Sequence, residues 1–217
     1  MNYNYIPYVF DVETTGKDPE VNEIIEISFV RLFIHSMNNI SKDQKTWFIR
    51  PKNINHIDDE ALAVNGHKKE DLLHKTQYGK KTYRDLEEVL PEIELWVAED
   101  NVSINDRILA GHNIKKFDIP FLFSAWKKGG SPETIPFNLE KERSVIDTMD
   151  LVKFVDLCTG KRRRYLNLGS LQKAFHIKKA KAHTAEGDAQ MNADFLIKIF
   201  ERGCESFGSK FDDCYGE

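Results

Sequence analysis

The stretch that decides the fold is Phe10-Asp11-Val12-Glu13-Thr14-Thr15-Gly16, near the start of a chain of 217 residues. The apolar residues from Tyr8 to Phe10 predict a short buried strand, which ends in two carboxylates one residue apart. Residues at i and i+2 of a strand point to the same face of the sheet, so Asp11 and Glu13 should project side by side. Two like charges this close are costly unless a cation neutralises them.

The turn after this strand supplies small polar groups and a flexible backbone, Thr14-Thr15-Gly16, at a place where a ligand can approach. Taken alone, an Asp-x-Glu pair is more often a solvated strand end than a metal site. Two acidic segments further along the chain favour the metal site, because both fit the same place.

Composition indicates one large globular domain, with 41% hydrophobic and 30% charged residues. The net charge of −4 provides no overall basic field, so any contact with nucleic acid must depend on local patches. The three cysteines are too few for a disulfide framework or a zinc site, which favours a reducing compartment and a cytoplasmic setting. With no signal peptide and no long apolar run, we expect no membrane partner.

Apolar periodicity predicts an α/β fold, a mixed five-stranded sheet flanked by helices, whose first three strands form an antiparallel meander. The predicted strands are Tyr8–Val12, Ile24–Phe33, Lys45–Arg50, Ile108–Gly111 and Ser144–Thr148. The predicted helices are Asp58–Val64, Lys68–Leu73, Tyr83–Ala98, Lys116–Lys127, Met149–Cys158, Leu168–Phe175 and Asp188–Glu201. Residues 1–202 should form the domain, and 203–217 a polar, mobile C-terminal tail. The three tryptophans should pack in the core.

The second acidic segment runs from Ala110 to Leu122 and places Asp118 near a helix start, among apolar neighbours. A carboxylate in such surroundings is costly to ionise unless a cation or a hydrogen-bond donor compensates it. The alternative is a helix N-terminal charge that the macrodipole favours, and for this segment alone that alternative is the better one.

The third acidic segment runs from His183 to Ala189 and places Asp188 in the first turn of the last helix. A histidine and an aspartate near a helix start commonly serve as capping or surface groups. The alternative is a carboxylate metal ligand beside an imidazole that accepts a proton, since an imidazole changes protonation near neutral pH.

Together these segments resemble the motifs of the DEDDh (DnaQ-like) 3′–5′ exonucleases of the ribonuclease H-like superfamily, from about residue 7 to 200. The first motif matches 10–16, the second matches His112-Asn113 with Phe117-Asp118, and the third matches His183-x-Ala185-x-x-Asp188-Ala189. Each motif is weak alone, but the three in order are a strong signal. One departure is Asn65-Gly66-His67, where many relatives have His-Gly-Ile.

The resemblance implies four carboxylate ligands for two Mg²⁺ or Mn²⁺ ions, namely Asp11, Glu13, Asp118 and Asp188. It also implies that His183 accepts the proton of an attacking water, so that the catalytic set is these acids and His183. The residues that would position the terminal nucleotide are Val12, Thr14, Thr15, Gly16, Val64, Asn65, His112, Asn113 and Phe117. The densest basic run, Lys161–Arg164, is either a phosphate-binding patch or a solvated loop.

Three functions remain open from the sequence. The first is a metal-dependent 3′–5′ exonuclease that releases nucleoside 5′-monophosphates from DNA, in proofreading or processing, with single-stranded DNA favoured and a DNA polymerase as a possible partner. The second is the same reaction on RNA or oligoribonucleotides. The third is a non-catalytic nucleic-acid-binding module, which the intact acidic set disfavours because phosphates would be repelled there.

Overall fold

The computed structural model describes residues 5–36, 39–73, 82–139, 144–160, 167–178 and 183–211. Within these residues five strands form one sheet, β1 Ile6–Thr14, β2 Ile24–Ser36, β3 Asn39–Phe48, β4 Arg107–Gly111 and β5 Val145–Asp147. The α-helices of the same residues are α1 Asp59–Asn65, α2 Lys69–Leu73, α3 Leu86–Ala98, α4 Asp118–Lys128, α5 Thr148–Thr159, α6 Leu168–Ala174 and α7 Ala185–Phe211. No helix among them is both long and apolar enough to cross a membrane.

The sheet has the strand order β3-β2-β1-β4-β5. β1 pairs antiparallel with β2, and β2 pairs antiparallel with β3, which confirms the predicted meander. β4 lies parallel to β1, and β5 lies parallel to β4. The carboxyl ends of these three parallel strands meet at one edge of the sheet, which brings the end of β1 next to the loop that leads into α4.

Alternation along β1 divides the interior into two layers. Tyr8 and Phe10 face the larger core beneath α3 and α4, where Phe10 stacks on Phe29 with ring centroids 5.4 Å apart. Val9 faces the other side, where it packs with Ala189 and Ala193 of α7. Because these alanines are small, α7 lies close to the sheet on the face to which Asp11 and Glu13 also point.

The tryptophans lie in the core as expected, with Trp47, Trp96 and Trp126 all nearly or fully buried. Trp47 and Trp96 meet edge to face at 5.7 Å, under the meander. Aromatic rings packed in this way contribute stability beyond the area that they bury.

Several predicted boundaries were wrong. β3 begins at Asn39 instead of Lys45, because backbone pairing with β2 continues through polar, solvent-facing residues that carry no apolar signal. α7 ends at Phe211 instead of Glu201, so the first part of the predicted tail is helical. A formed helix gains a backbone hydrogen bond for each added residue, and this outweighs the weak propensity of scattered glycine and serine. The predicted basic run Lys161–Arg164 and residues 212–217 lie outside the described residues.

Candidate active site

The two carboxylates of β1 meet a third one from α7. Ligand oxygens of Asp11, Glu13 and Asp188 all lie within 4.8 Å of one another. Asp11 and Glu13 are adjacent because of the two-residue period of the strand. Asp188 is far from them along the chain, so its position confirms that the first and third acidic segments converge.

The start of α7 positions Asp188. The backbone N–H of Asp188 donates to the carbonyl of Thr184 at 2.9 Å, and that of Gly187 donates to the Thr184 hydroxyl at 3.1 Å. The first is the first regular hydrogen bond of α7, and the second satisfies an N–H that would otherwise be unpaired at the helix N-terminus. The carboxylate of Asp188 is thereby carried on a well-formed first turn above the end of β1.

Asp118 lies beside Val12 of β1, as the first residue of α4. It is 4% exposed, and its Oδ1 accepts a hydrogen bond from the backbone N–H of Val12 at 3.1 Å. Asp118 is not part of the set of ligand atoms within 4.8 Å, but its charge raises the pKa of Asp11. The second acidic segment therefore reaches the same site, and the N–H of Val12 serves to hold Asp118.

The electrostatics of the site favour a bound cation. Desolvation and then the charges of Asp118, Asp188 and Glu13 raise the pKa of Asp11 well above its ordinary value. Burial raises the pKa of Asp118 to about 7, and desolvation also raises that of Asp188. A divalent cation relieves this repulsion, and several carboxylate oxygens form the hard donor set that suits Mg²⁺ or Mn²⁺.

His183 lies next to Asp188 at the edge of the site. Its charge and a hydrogen bond from its backbone lower the pKa of Asp188, against the larger effect of desolvation. His183 is exposed and has a left-handed φ of 61°. The imidazole is therefore accessible to solvent beside the acidic group.

The turn after β1 is buried and internally bonded. The Thr14 hydroxyl donates to the carbonyl of Gly16 at 2.6 Å, and Thr15 N–H donates to the carbonyl of Glu23 at 2.9 Å. The carbonyl of Thr15 accepts from Asp58 N–H at 2.7 Å. These bonds make the expected nucleotide-binding turn a fixed shelf beside the acids.

Val64 and Asn65, the two residues of α1 that we expect near the terminal nucleobase, differ in their exposure to solvent. Val64 is 64% exposed, whereas Asn65 is 4% exposed. The Asn65 amide donates to the Thr14 carbonyl at 3.2 Å, and its oxygen accepts from the backbone N–H of His67. Asn65 thus ties α1 to the end of β1, and Val64 is the one that faces outward.

The loop between β4 and α4 is held by β5. Asp147 accepts from the backbone N–H of Asn113 at 2.9 Å and from that of Met149 at 3.0 Å. His112 shares a hydrogen bond of 3.1 Å with the hydroxyl of Thr148. The ring of Phe117 is half-buried and packs on Phe121 at 5.0 Å.

A fifth carboxylate near the site was missed in the sequence. Glu26 lies in β2 directly opposite Glu13 and is 1% exposed. Its charge raises the pKa values of both Asp11 and Asp188. The available signal was a single acid inside the apolar run Ile24-Ile25-Glu26-Ile27, since a buried charge in a strand requires a partner.

Comparison with known proteins gives relatives of this arrangement. The family model described as exonuclease, RNase_T, matches residues 8–196. The DNA polymerase III PolC-type protein of Staphylococcus aureus is 29% identical over 195 residues, and its counterpart in Staphylococcus epidermidis is 28% identical. These matches cover 89% of this chain and 11% of each polymerase.

Solved structures share the fold at lower identity. Exonuclease I of E. coli in complex with a dA16 oligonucleotide matches with a TM-score of 0.73 and 15% identity, over 96% of this chain and 43% of that one. Exonuclease I of Methylocaldum szegediense matches with a TM-score of 0.68 and 17% identity, over 98% of this chain and 43% of that one. With the family model matching most of its length, the chain belongs to the RNase_T family of DnaQ-like exonucleases.

Proposed function

We propose that the chain is a metal-dependent 3′–5′ exonuclease that hydrolyses the terminal phosphodiester of DNA and releases nucleoside 5′-monophosphates. The observation that carries the proposal is the convergence of Asp11, Glu13 and Asp188 within 4.8 Å, with the buried Asp118 against Val12. A binding module has no use for such a concentration of negative charge where phosphates must lie.

The chain's own side chains divide the proposed work. Asp11, Glu13, Asp118 and Asp188 would hold two Mg²⁺ or Mn²⁺ ions. Such ions supply charge neutralisation for the phosphate and for the departing 3′ oxygen. His183, exposed beside Asp188, accepts the proton of the attacking water. The fixed turn Thr14-Thr15-Gly16, together with Val64 and Phe117, would position the terminal nucleotide.

Relatives support DNA as the substrate. The E. coli exonuclease I structures include complexes with dT13 and dA16 oligonucleotides, and the staphylococcal relatives are DNA polymerases. We therefore propose single-stranded DNA with a free 3′ end as the preferred substrate and a DNA polymerase as a partner. Because the chain spans only 11% of those polymerases, the partnership is tested separately, by pull-down with a polymerase.

The test uses purified chain with Mg²⁺ and two oligonucleotides of matched sequence, one DNA and one RNA, each labelled at the 5′ end. We expect a ladder of shortened DNA, with nucleoside 5′-monophosphates as products and no cleavage of circular single-stranded DNA. If only the RNA is degraded, the substrate is RNA and the proposal of DNA is wrong. If neither oligonucleotide is shortened, the proposed reaction is wrong.

The acid Asp11 offers the sharpest control for this assay. Asp11→Asn keeps the size of the side chain but removes charge from the centre of the acidic group, so activity should fall by about 10²-fold or more. Glu87→Gln neutralises an exposed surface acid paired with Lys52 and should leave activity unchanged. Equal activity of wild type and Asp11→Asn, with circular dichroism showing both folded, would contradict the assignment of the site.

A further inference from the structure

The side chain of Glu26, the fifth carboxylate, contacts His67, which stands where many relatives have isoleucine. Glu26 Oε2 and His67 Nε2 are 2.9 Å apart, and both side chains are almost completely buried. His67 Nδ1 lies 2.6 Å from the hydroxyl of Tyr83. Burial and the charge of Glu26 raise the pKa of Tyr83, so its hydroxyl keeps its hydrogen and shares one hydrogen bond with Nδ1. Because an ionised carboxylate can only accept, the short contact between Nε2 and Oε2 is the one through which the imidazole donates to Glu26.

The other oxygen of Glu26 binds the helix that carries the proposed third ligand. Oε1 accepts from the backbone N–H of Glu186, in the first turn of α7, at 3.2 Å. On the outer side, the amide of Gln44 in β3 donates to the Glu186 carbonyl at 2.8 Å. Glu186, two residues before Asp188, is thus bound by β2 through its N–H and by β3 through its carbonyl.

We propose that Glu26, oriented by His67 and Tyr83, is a positioning residue that fixes the first turn of α7, and with it Asp188 and His183, against the acids of β1. This inference rests on the proposed function, since it concerns the geometry of the same site. Tyr83, His67 and Glu26 form one chain of hydrogen bonds from the segment before α3 to the start of α7.

A buried carboxylate needs hydrogen-bond donors in order to keep one orientation. Without the imidazole of His67, Oε2 of Glu26 would lose this buried contact, and the carboxylate would be freer to rotate or to take up water. The N–H of Glu186 would then lose a fixed acceptor, and the first turn of α7 would loosen. Changes to groups that orient metal ligands commonly reduce metal affinity about 10- to 100-fold.

The experiment measures Mn²⁺ binding to the full chain by calorimetry without nucleic acid, and then kcat and KM with DNA. His67→Leu fills a similar volume without a donor, whereas His67→Gln retains an amide donor for Glu26. We expect His67→Leu to bind Mn²⁺ about tenfold more weakly, with a lower kcat and a little-changed KM. His67→Gln should recover most of both losses.

A pair of tyrosine variants keeps the test valid if His67→Leu does not fold. Tyr83→Phe removes the hydroxyl that is hydrogen-bonded to His67, and Tyr8→Phe removes one that lies 2.6 Å from Asp100, away from the site. Both tyrosines are buried. Tyr83→Phe should weaken Mn²⁺ binding, and Tyr8→Phe should lower only the melting temperature.

The inference is overturned if folded His67→Leu or Tyr83→Phe binds Mn²⁺ as tightly as wild type. It is also overturned if Tyr8→Phe weakens binding as much as Tyr83→Phe does, since the effect is then a general loss of stability. The metal titration needs no substrate. If the wild type degrades no nucleic acid but His67→Leu still binds Mn²⁺ more weakly than the wild type, the proposed reaction is wrong and the positioning role is supported.

Discussion

The carboxylate of Asp118 is costly to ionise in the folded chain because it is buried. Burial raises its pKa to about 7 from an ordinary value of 3.8, even though Val12 N–H donates to it. The folded chain therefore binds this proton more tightly than the unfolded chain does. The contribution of Asp118 to stability is fully present below about pH 4 and is lost as the pH rises through about 7.

We expect Asp118→Asn to reduce the pH dependence of stability in the absence of metal. Between pH 5 and 7.5, the free energy of unfolding of the wild type should fall by about 2 kcal/mol more than that of the variant. The measurement is urea unfolding in EDTA at the two pH values. Asp11 and Asp188 act in the same direction, so the variant keeps part of the dependence. Parallel pH profiles for wild type and variant would refute this account of Asp118.

The imidazole of His183 should be needed for the reaction and not for the fold. Because its φ is 61°, we choose His183→Asn, since asparagine tolerates this left-handed backbone. The change removes the proton acceptor but keeps the backbone bond to Asp188, so kcat should fall about 10²- to 10³-fold while Mn²⁺ affinity changes little. Steady-state kinetics and calorimetry check the two halves.

His176 provides a matched control for this variant. It is also an exposed histidine with a left-handed φ, of 53°, and it follows α6. His176→Asn should leave kcat unchanged. If the two variants lose activity equally, the role assigned to His183 is wrong.

At the scale of elements, the site depends on how closely the ends of β1 and β4 approach each other. A Cβ at Gly111 would lie 2.6 Å from the carbonyl oxygen of Phe10 and 2.4 Å from the side chain of Ile114. Gly111 is the last residue of β4, just before the loop that leads to Asp118. Only a residue without a side chain lets these two strand ends meet.

Gly111→Ala should therefore destabilise the chain by about 1–3 kcal/mol, because backbone has to move to admit the methyl group. Gly169→Ala is the matched control, since its Cβ would lie 3.8 Å from Asn167 Oδ1, within helix α6. An alanine there should be neutral or stabilise by up to about 1 kcal/mol. Urea unfolding measures both changes, and a neutral Gly111→Ala would show that the two strands have room to spare.

At the scale of the whole molecule, metal binding should be coupled to folding. The carboxylates repel one another only when the fold brings them together, so a cation binds the folded chain far better than the unfolded one. At a free Mg²⁺ concentration about 100 times the Kd, the free energy of unfolding should rise by about 3 kcal/mol. Thermal unfolding with Mg²⁺ or EDTA measures this shift.

The pH dependence and a variant make this prediction specific. Protons compete for Asp11 and Asp118, whose pKa values are raised, so the Mg²⁺ shift in melting temperature should be larger at pH 7.5 than at pH 5.5. Asp11→Asn should lose most of the shift. A shift that is equal in the variant would locate the bound ion elsewhere.

Much of this site was accessible from the sequence because its signals are local. The period of a strand places Asp11 beside Glu13, and the start of an amphipathic helix places Asp118 and Asp188 in first turns. Glu26 and His67 were not identified. Their contacts depend on the register between β1 and β2 and on how α1 and α2 pack against the sheet, and a single sequence carries no signal of either.

The amino-acid sequence by itself predicted the strand that carries Asp11 and Glu13 and the helix starts near Asp118 and Asp188, because alternation and helix starts depend on neighbouring residues. The assignment of these acids and of His183 to one site came from the resemblance to the DEDDh exonucleases. Only the tertiary structure decided that Asp188 comes within 4.8 Å of the β1 acids and that Asn65 turns inward while Val64 stays outside. Asp188 comes close because the small alanines of α7 let this helix pack against the sheet. Asn65 turns inward because its amide bonds to the carbonyl of Thr14. Both contacts join residues that are remote along the chain.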